Sequence, residues 1–188
     1  PRIESLKIIS DQLPTKNGWE LRNEIVLKTV SPSLEYLKEN YPNTSLGIIK
    51  PKKIIDLIVE EVPASQINEF QQLMFVFSEH KTDISSPLTP LNYKFSYVFL
   101  CDDPKCTKPH KLSIVDWELG ALFYNLKKSE NAEEYIKRKI YEKFFGELCS
   151  PEKDTHLIVG NKYPYKDAFM VLGIYYPDKK RQMTLFEL

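Results

Sequence analysis

Tyr93-Lys94-Phe95-Ser96-Tyr97-Val98-Phe99-Leu100-Cys101, continued by Asp102-Asp103-Pro104-Lys105-Cys106-Thr107-Lys108-Pro109-His110, is the stretch that decides the fold. In its first part Tyr93, Phe95, Tyr97 and Phe99 alternate with Lys94, Ser96 and Val98, the period of two expected of a half-buried strand. The second part carries no apolar run, so burial alone cannot order it. It holds instead the spacing Cys101-x4-Cys106-x3-His110. Two thiolates and an imidazole so close together suit tetrahedral zinc, which favours sulfur and nitrogen donors.

Working outward, residues 113–128 read as a helix, with Ser113 and Asp116 spaced as a capping pair and Leu119, Leu122, Phe123 and Leu126 on one face. A second helix is predicted over residues 132–148, with Ile136, Ile140, Phe144 and Leu148 as its apolar stripe. Residues 156–159 and 168–176 then form a hairpin. The expected fold class is α+β: an antiparallel sheet of the aromatic strand and the hairpin, backed by two packed helices and a zinc knuckle.

Upstream lies a small mixed region. Residues 3–9, 24–30 and 54–62 read as strands, and Ser31-Pro32-Ser33 as the start of a helix with Leu34, Leu37 and Tyr41 on one face. Residues 66–77 read as a further helix. The resulting division is a mixed α/β N-terminal region at 1–77, a loop or linker at 78–92 with two Pro and a Ser pair, a zinc-knuckle domain at 93–178, and a tail at 179–188.

A structural zinc needs a fourth ligand. Cys149 is the first choice, because it ends the second helix and antiparallel helices of similar length would return it to the knuckle; His156 is the alternative. A closed Cys3His site has no position left for water, so it would be structural rather than catalytic. The three cysteines are an odd set without a signal-type N-terminus, which fits a cytoplasmic protein and a metal site better than a disulfide framework.

Composition sets further limits. A hydrophobic share of 42% and a charged share of 28% are ordinary for a globular chain, and no apolar run is long enough to span a bilayer. The net charge of zero argues against a strongly cationic nucleic-acid binder. Local basic surfaces remain: Lys162, Tyr163, Tyr165 and Lys166 interleave stacking rings with cations, and Lys50, Lys52 and Lys53 form a second cluster. DNA is the partner such patches would meet. Asp116 and Glu118 are the catalytic alternative, as carboxylates for Mg²⁺ in a metal-dependent nuclease or other nucleic-acid enzyme. Their position in a first helical turn explains them equally well, since carboxylates oppose the helix dipole there. No glycine-rich phosphate loop, nucleophile elbow or small-molecule site is evident.

The tail Gln182-Met183-Thr184-Leu185-Phe186-Glu187-Leu188 is apolar where free termini are usually polar, and it follows Lys179-Lys180-Arg181. It resembles the sliding-clamp interaction motif, the PIP box of replication and repair proteins: Gln182 and Leu185 match the first two anchors. Leu188 stands at the first aromatic position, the second aromatic is missing, and Phe186 follows the aliphatic anchor as in archaeal forms. The resemblance covers seven residues. It implies a non-catalytic accessory protein of DNA replication, repair or mobile-element defence that docks its tail in a clamp groove. The alternative is a subunit whose tail is buried in its own assembly. The body also resembles uncharacterised prokaryotic proteins with a Cys-x4-Cys-x3-His knuckle followed by Asp-Trp-Glu, a resemblance that implies no activity.

Overall fold

The computed structural model describes residues 19–63, 92–129, 132–162 and 165–179. In chain order they form helix α1 (Trp19–Thr29), strand β1 (Val30–Ser31), helix α2 (Leu34–Glu39), β2 (Leu46–Ile49), β3 (Pro51–Glu61), β4 (Tyr93–Cys101), β5 (His110–Ser113), α3 (Trp117–Lys128), α4 (Glu133–Tyr141) with a π-helical turn (Glu142–Glu147), β6 (His156–Asn161) and β7 (Phe169–Tyr175). The fold is α+β, as the sequence predicts. The expected helix at 66–77, linker at 78–92 except for Asn92, strand at 3–9 and docking segment at 182–188 lie outside the described residues.

The aromatic strand is β4, and its pattern is physical. Tyr93, Phe95, Tyr97, Phe99 and Cys101 are all buried, while Lys94, Val98 and Leu100 are only partly so. Helices cover the buried face: Tyr93 packs its ring 6.0 Å from that of Phe123 on α3, and the Tyr97 hydroxyl donates to the Phe144 carbonyl at 2.5 Å. The π-helical turn makes that bond available. Leu148 N–H donates five residues back, to the Lys143 carbonyl, so the Phe144 carbonyl that an α-helical turn would engage is open to Tyr97.

The sheet arrangement departs from the expected one. β4 does not pair with the hairpin; it lies between β3 and β5 in a three-stranded antiparallel sheet. The hairpin β6–β7 instead extends a four-stranded sheet of order β1-β2-β6-β7, with β2 antiparallel to β6. Both sheets therefore combine a strand from before residue 64 with strands from after residue 91, and the expected boundary between an N-terminal region and a knuckle domain does not separate two folded units. The cause is β2–β3, where the chain passes from one sheet to the other across the single residue Lys50. At the other end, Ile114 N–H donates to Phe95 O and Val115 N–H to Val171 O, both at 2.8 Å, so the segment after β5 bonds to both sheets.

Two local expectations are corrected. Residues 24–30, expected as a strand for Ile25 and Val26, belong mainly to α1, which also contains Glu20, Leu21, Arg22, Glu24, Leu27 and Lys28. These are strong helix formers, and two β-branched residues do not outweigh them. Ser113 ends β5 and is no cap; Asp116 alone caps α3, its side chain accepting from Glu118 N–H at 2.6 Å. Among the described residues no helix is long and apolar enough to cross a membrane.

Candidate metal centre

β4 ends on Cys101 and β5 begins on His110, so the antiparallel pair brings the two ends of the knuckle together; Phe99 and His110 are register partners. Between them a tight turn, with Cys106 N–H donating to Asp103 O at 2.8 Å, folds Cys106 back. The donor atoms of Cys101, Cys106 and His110 all lie within 4.8 Å of one another, and this group could hold a metal ion. The set of two sulfurs and one ring nitrogen matches what zinc takes. His110 Nε2 is 3.3 Å from Cys106 Sγ, which identifies Nε2 as the nitrogen facing the site.

The environment prepares these donors unequally. Burial pushes the Cys101 thiol up to about 12, against a backbone N–H from Leu34 that donates to its sulfur. A metal must therefore displace a tightly held proton at Cys101, and its binding strengthens as pH rises. Burial, then the nearby Lys38 ammonium, hold the His110 imidazole below its ordinary value, with Glu35 acting in the opposite direction. The ring is thus neutral at pH 7, the form that ligates metals. Its other nitrogen, Nδ1, faces Glu35 Oε1 at 3.8 Å. That is beyond hydrogen-bond range but favours a proton on Nδ1 and a lone pair on Nε2.

Helix α2 supplies the surrounding shell, and the sequence reading missed it. Ser33 caps α2 by accepting from Tyr36 N–H at 3.1 Å, and its own hydroxyl donates to Asp103 Oδ2 at 2.6 Å. Asp103 Oδ1 accepts from Lys105 N–H at 2.9 Å, which fixes the start of the loop. These bonds hold the Asp103 carboxyl below the usual carboxylate range. Lys105 in turn reaches Glu39 at 3.0 Å, at the far end of α2. The helix can approach because residue 47 is glycine: any Cβ there would come within 2.7 Å of Leu37 Cδ2. Ser33 was legible as a helix start, but its link to Asp103 joins residues 70 apart and no local pattern announces it.

The expected fourth ligand is not at the site. Cys149 Sγ lies 3.7 Å from the Tyr97 hydroxyl and 3.2 Å from Phe144 O. Tyr97 precedes Cys101 by four residues on β4, about 13 Å at strand rise. Burial pushes the Cys149 thiol up to about 11, so it stays protonated. His156 is not at the site either. It is fully buried at the start of β6 in the other sheet, its Nδ1 2.8 Å from Asp154 O and its ring against Tyr175. The expected closed Cys3His set is therefore corrected to Cys101, Cys106 and His110.

The remaining candidates are distributed differently. Asp116 and Glu118 do not converge: Asp116 is engaged by three backbone N–H groups, from Glu118, Leu119 and Ile174, while Glu118 is exposed. Burial nevertheless raises the Asp116 carboxyl above its ordinary range. A raised folded value means that the native state binds the proton more tightly, so this group's contribution to stability falls as pH climbs through that range. Asp116→Asn keeps an amide cap and removes the buried charge, and it is expected to match or exceed the wild type in stability at pH 7. Asp116→Ala loses the cap and is expected to cost about 1 kcal/mol. Thermal melts at pH 4 and pH 7 check both, and the Asn variant should gain on the wild type between them.

Of the basic residues, Lys50 is paired with Asp154 at 2.6 Å and Lys52 with Asp102 at 3.1 Å, while Lys53 is exposed. Asn161 Nδ2 donates to the carbonyls of Tyr165 at 2.6 Å and Lys166 at 3.0 Å, which holds the β6–β7 tip with Tyr165 and Lys166 exposed and Lys162 half-buried. Tyr163 lies outside the described residues.

Comparison with known families places the chain. A family model matches residues 29–188. The chain belongs to the family described as "Domain of unknown function (DUF8757)". The matched span starts at the end of α1 and contains α2, all three clustered ligands and the Ser33–Asp103 link. No curated protein and no solved structure matches the chain.

A prediction follows from the Glu35–His110 geometry. Glu35→Gln is expected to weaken metal binding about 10- to 100-fold, the usual consequence of losing a carboxylate behind a ligating imidazole. Competition with a chromophoric chelator measures it. Unchanged affinity would assign Glu35 to its ion pair with Lys38 alone, at 2.9 Å.

Proposed function

We propose that this chain is a non-catalytic binding module in which zinc, held by Cys101, Cys106 and His110, fixes the β4–β5 connection against α2, and that residues 182–188 dock it on a sliding clamp. The convergence of the three donors within 4.8 Å carries the reading. The loop between Cys101 and His110 is largely exposed and has almost no apolar surface, so a bound ion is the economical source of its order. A nuclease reading is less well supported, because Asp116 is a helix cap and Glu118 points into solvent. The setting is DNA replication, repair or mobile-element defence in the cytoplasm, where thiols stay reduced. The β6–β7 tip, with Lys162, Tyr165 and Lys166, is the surface offered for DNA.

The clamp part rests on the resemblance of Gln182, Leu185, Phe186 and Leu188 to clamp anchors. Its test is a binding measurement between the full chain and a clamp from a related source. Gln182→Ala with Leu185→Ala is expected to weaken binding by about 10-fold or more, as truncated anchor residues do. Equal affinity of the double variant would reject clamp docking. Elemental analysis of the purified protein tests the metal part separately, with about one zinc per chain expected.

A further inference from the structure

We infer that the metal at Cys101, Cys106 and His110 keeps its fourth coordination position open to solvent and takes a small anionic ligand there, with water as the resting occupant. The inference rests on the metal reading and goes beyond its structural role.

Each donor among the described residues that could close the tetrahedron is occupied or distant. Among the described residues no further Cys, His, Asp or Glu joins the three-donor group. Those nearby are engaged elsewhere. Asp102 is paired with Lys52, and both Asp103 oxygens accept, from the Ser33 hydroxyl and from Lys105 N–H. Glu35 binds Lys38 and faces Nδ1 of His110, the nitrogen on the opposite side of the ring from Cys106. Cys149 is turned toward Phe144 O and His156 toward Asp154 O.

The cluster is also unevenly buried. Cys101 is buried, whereas Cys106 and His110 are half-buried and line a cleft of 240 Å³ together with Glu35, Lys105, Thr107, Lys108 and Pro109. That cleft gives a small ligand access to a metal held by these three donors. Three protein ligands plus one exchangeable position is the arrangement of catalytic zinc sites, and the closed four-ligand set belongs to purely structural ones. Two thiolates and a neutral imidazole cancel the charge of a divalent ion, so selection of an anion falls to Lys108 in the cleft wall, since Lys105 is committed to Glu39.

Cobalt(II) in place of zinc makes the coordination visible. The full chain, loaded with one equivalent of Co²⁺, is titrated with thiocyanate. The ligand-field bands are expected to shift and saturate while the thiolate-to-cobalt charge-transfer band persists, showing an added ligand on a metal that stays bound. Lys108→Ala should then need several-fold more thiocyanate for half-saturation. Bands that stay fixed on stoichiometrically bound cobalt would overturn the open position and leave the metal site intact. Failure of the protein to take up cobalt or zinc at all would overturn both.

Discussion

Removing the metal from zinc-loaded protein is expected to lower its thermal midpoint by about 8–16 °C. Zinc at about a thousand times its dissociation constant contributes about 4 kcal/mol of native-state stability, and a chain of this size loses about 2–4 °C per kcal/mol. The physical origin is local: without the ion, the loop after β4 is held by polar contacts alone, the Asp103 turn with its Ser33 bond and the largely exposed pairs Lys52–Asp102 and Lys105–Glu39. The Cys101→Ser variant should melt near the chelated wild type and be indifferent to chelator. Calorimetry with and without a strong chelator decides the matter, and a wild-type midpoint unaffected by chelation would remove zinc from the account of this fold. Because Cys101 must release a proton to bind, the chelator effect should shrink on acidification.

Phe99→Ala is expected to cost about 3–5 kcal/mol in the metal-free protein, the range for deleting a fully buried aromatic side chain. Phe99 is 0% exposed at the centre of the three-stranded sheet, and its ring lies 5.4 Å from that of His110. The same substitution removes one wall of the metal site, so it should also weaken metal binding, which a surface substitution of equal thermodynamic effect would not do. Chemical denaturation and metal competition on one variant separate the two effects. A cost under about 1 kcal/mol would show that the core closes around the gap, contrary to the tight packing seen along β4.

The parts legible in the sequence were those where one local pattern has one physical outcome. The Tyr93 to Phe99 alternation gave β4, and the spacing of Cys101, Cys106 and His110 gave the three-donor group because they share one connection between paired strands. The Phe169–Tyr175 strand and Trp117–Lys128 helix followed from periodicity in the same way. What was not legible is non-local. Nothing in Leu46–Ile49 announces pairing with residues beyond 155, so the aromatic strand and the hairpin were joined into one sheet when they belong to two. Cys149 is expected at the metal only if two regular antiparallel helices of similar length return it to the knuckle. The helix instead changes to a π-helical turn, and its end lies beside Tyr97. Glu35 has no local signature either, because its approach to His110 is made across the fold.

One short strand has a mechanical consequence. β5 opens with His110, a member of the three-donor group, and four residues later the chain grips the other sheet through Ile114 and Val115. At strand spacing this is about 13 Å of extended backbone, hydrogen-bonded along β4, which barely stretches. The three-donor group and the β6–β7 hairpin are thus joined in series, like two fittings on one stiff rod. A displacement of the hairpin at Val171 would therefore be carried to His110 along this strand, and a shift of His110 would return to the hairpin by the same path.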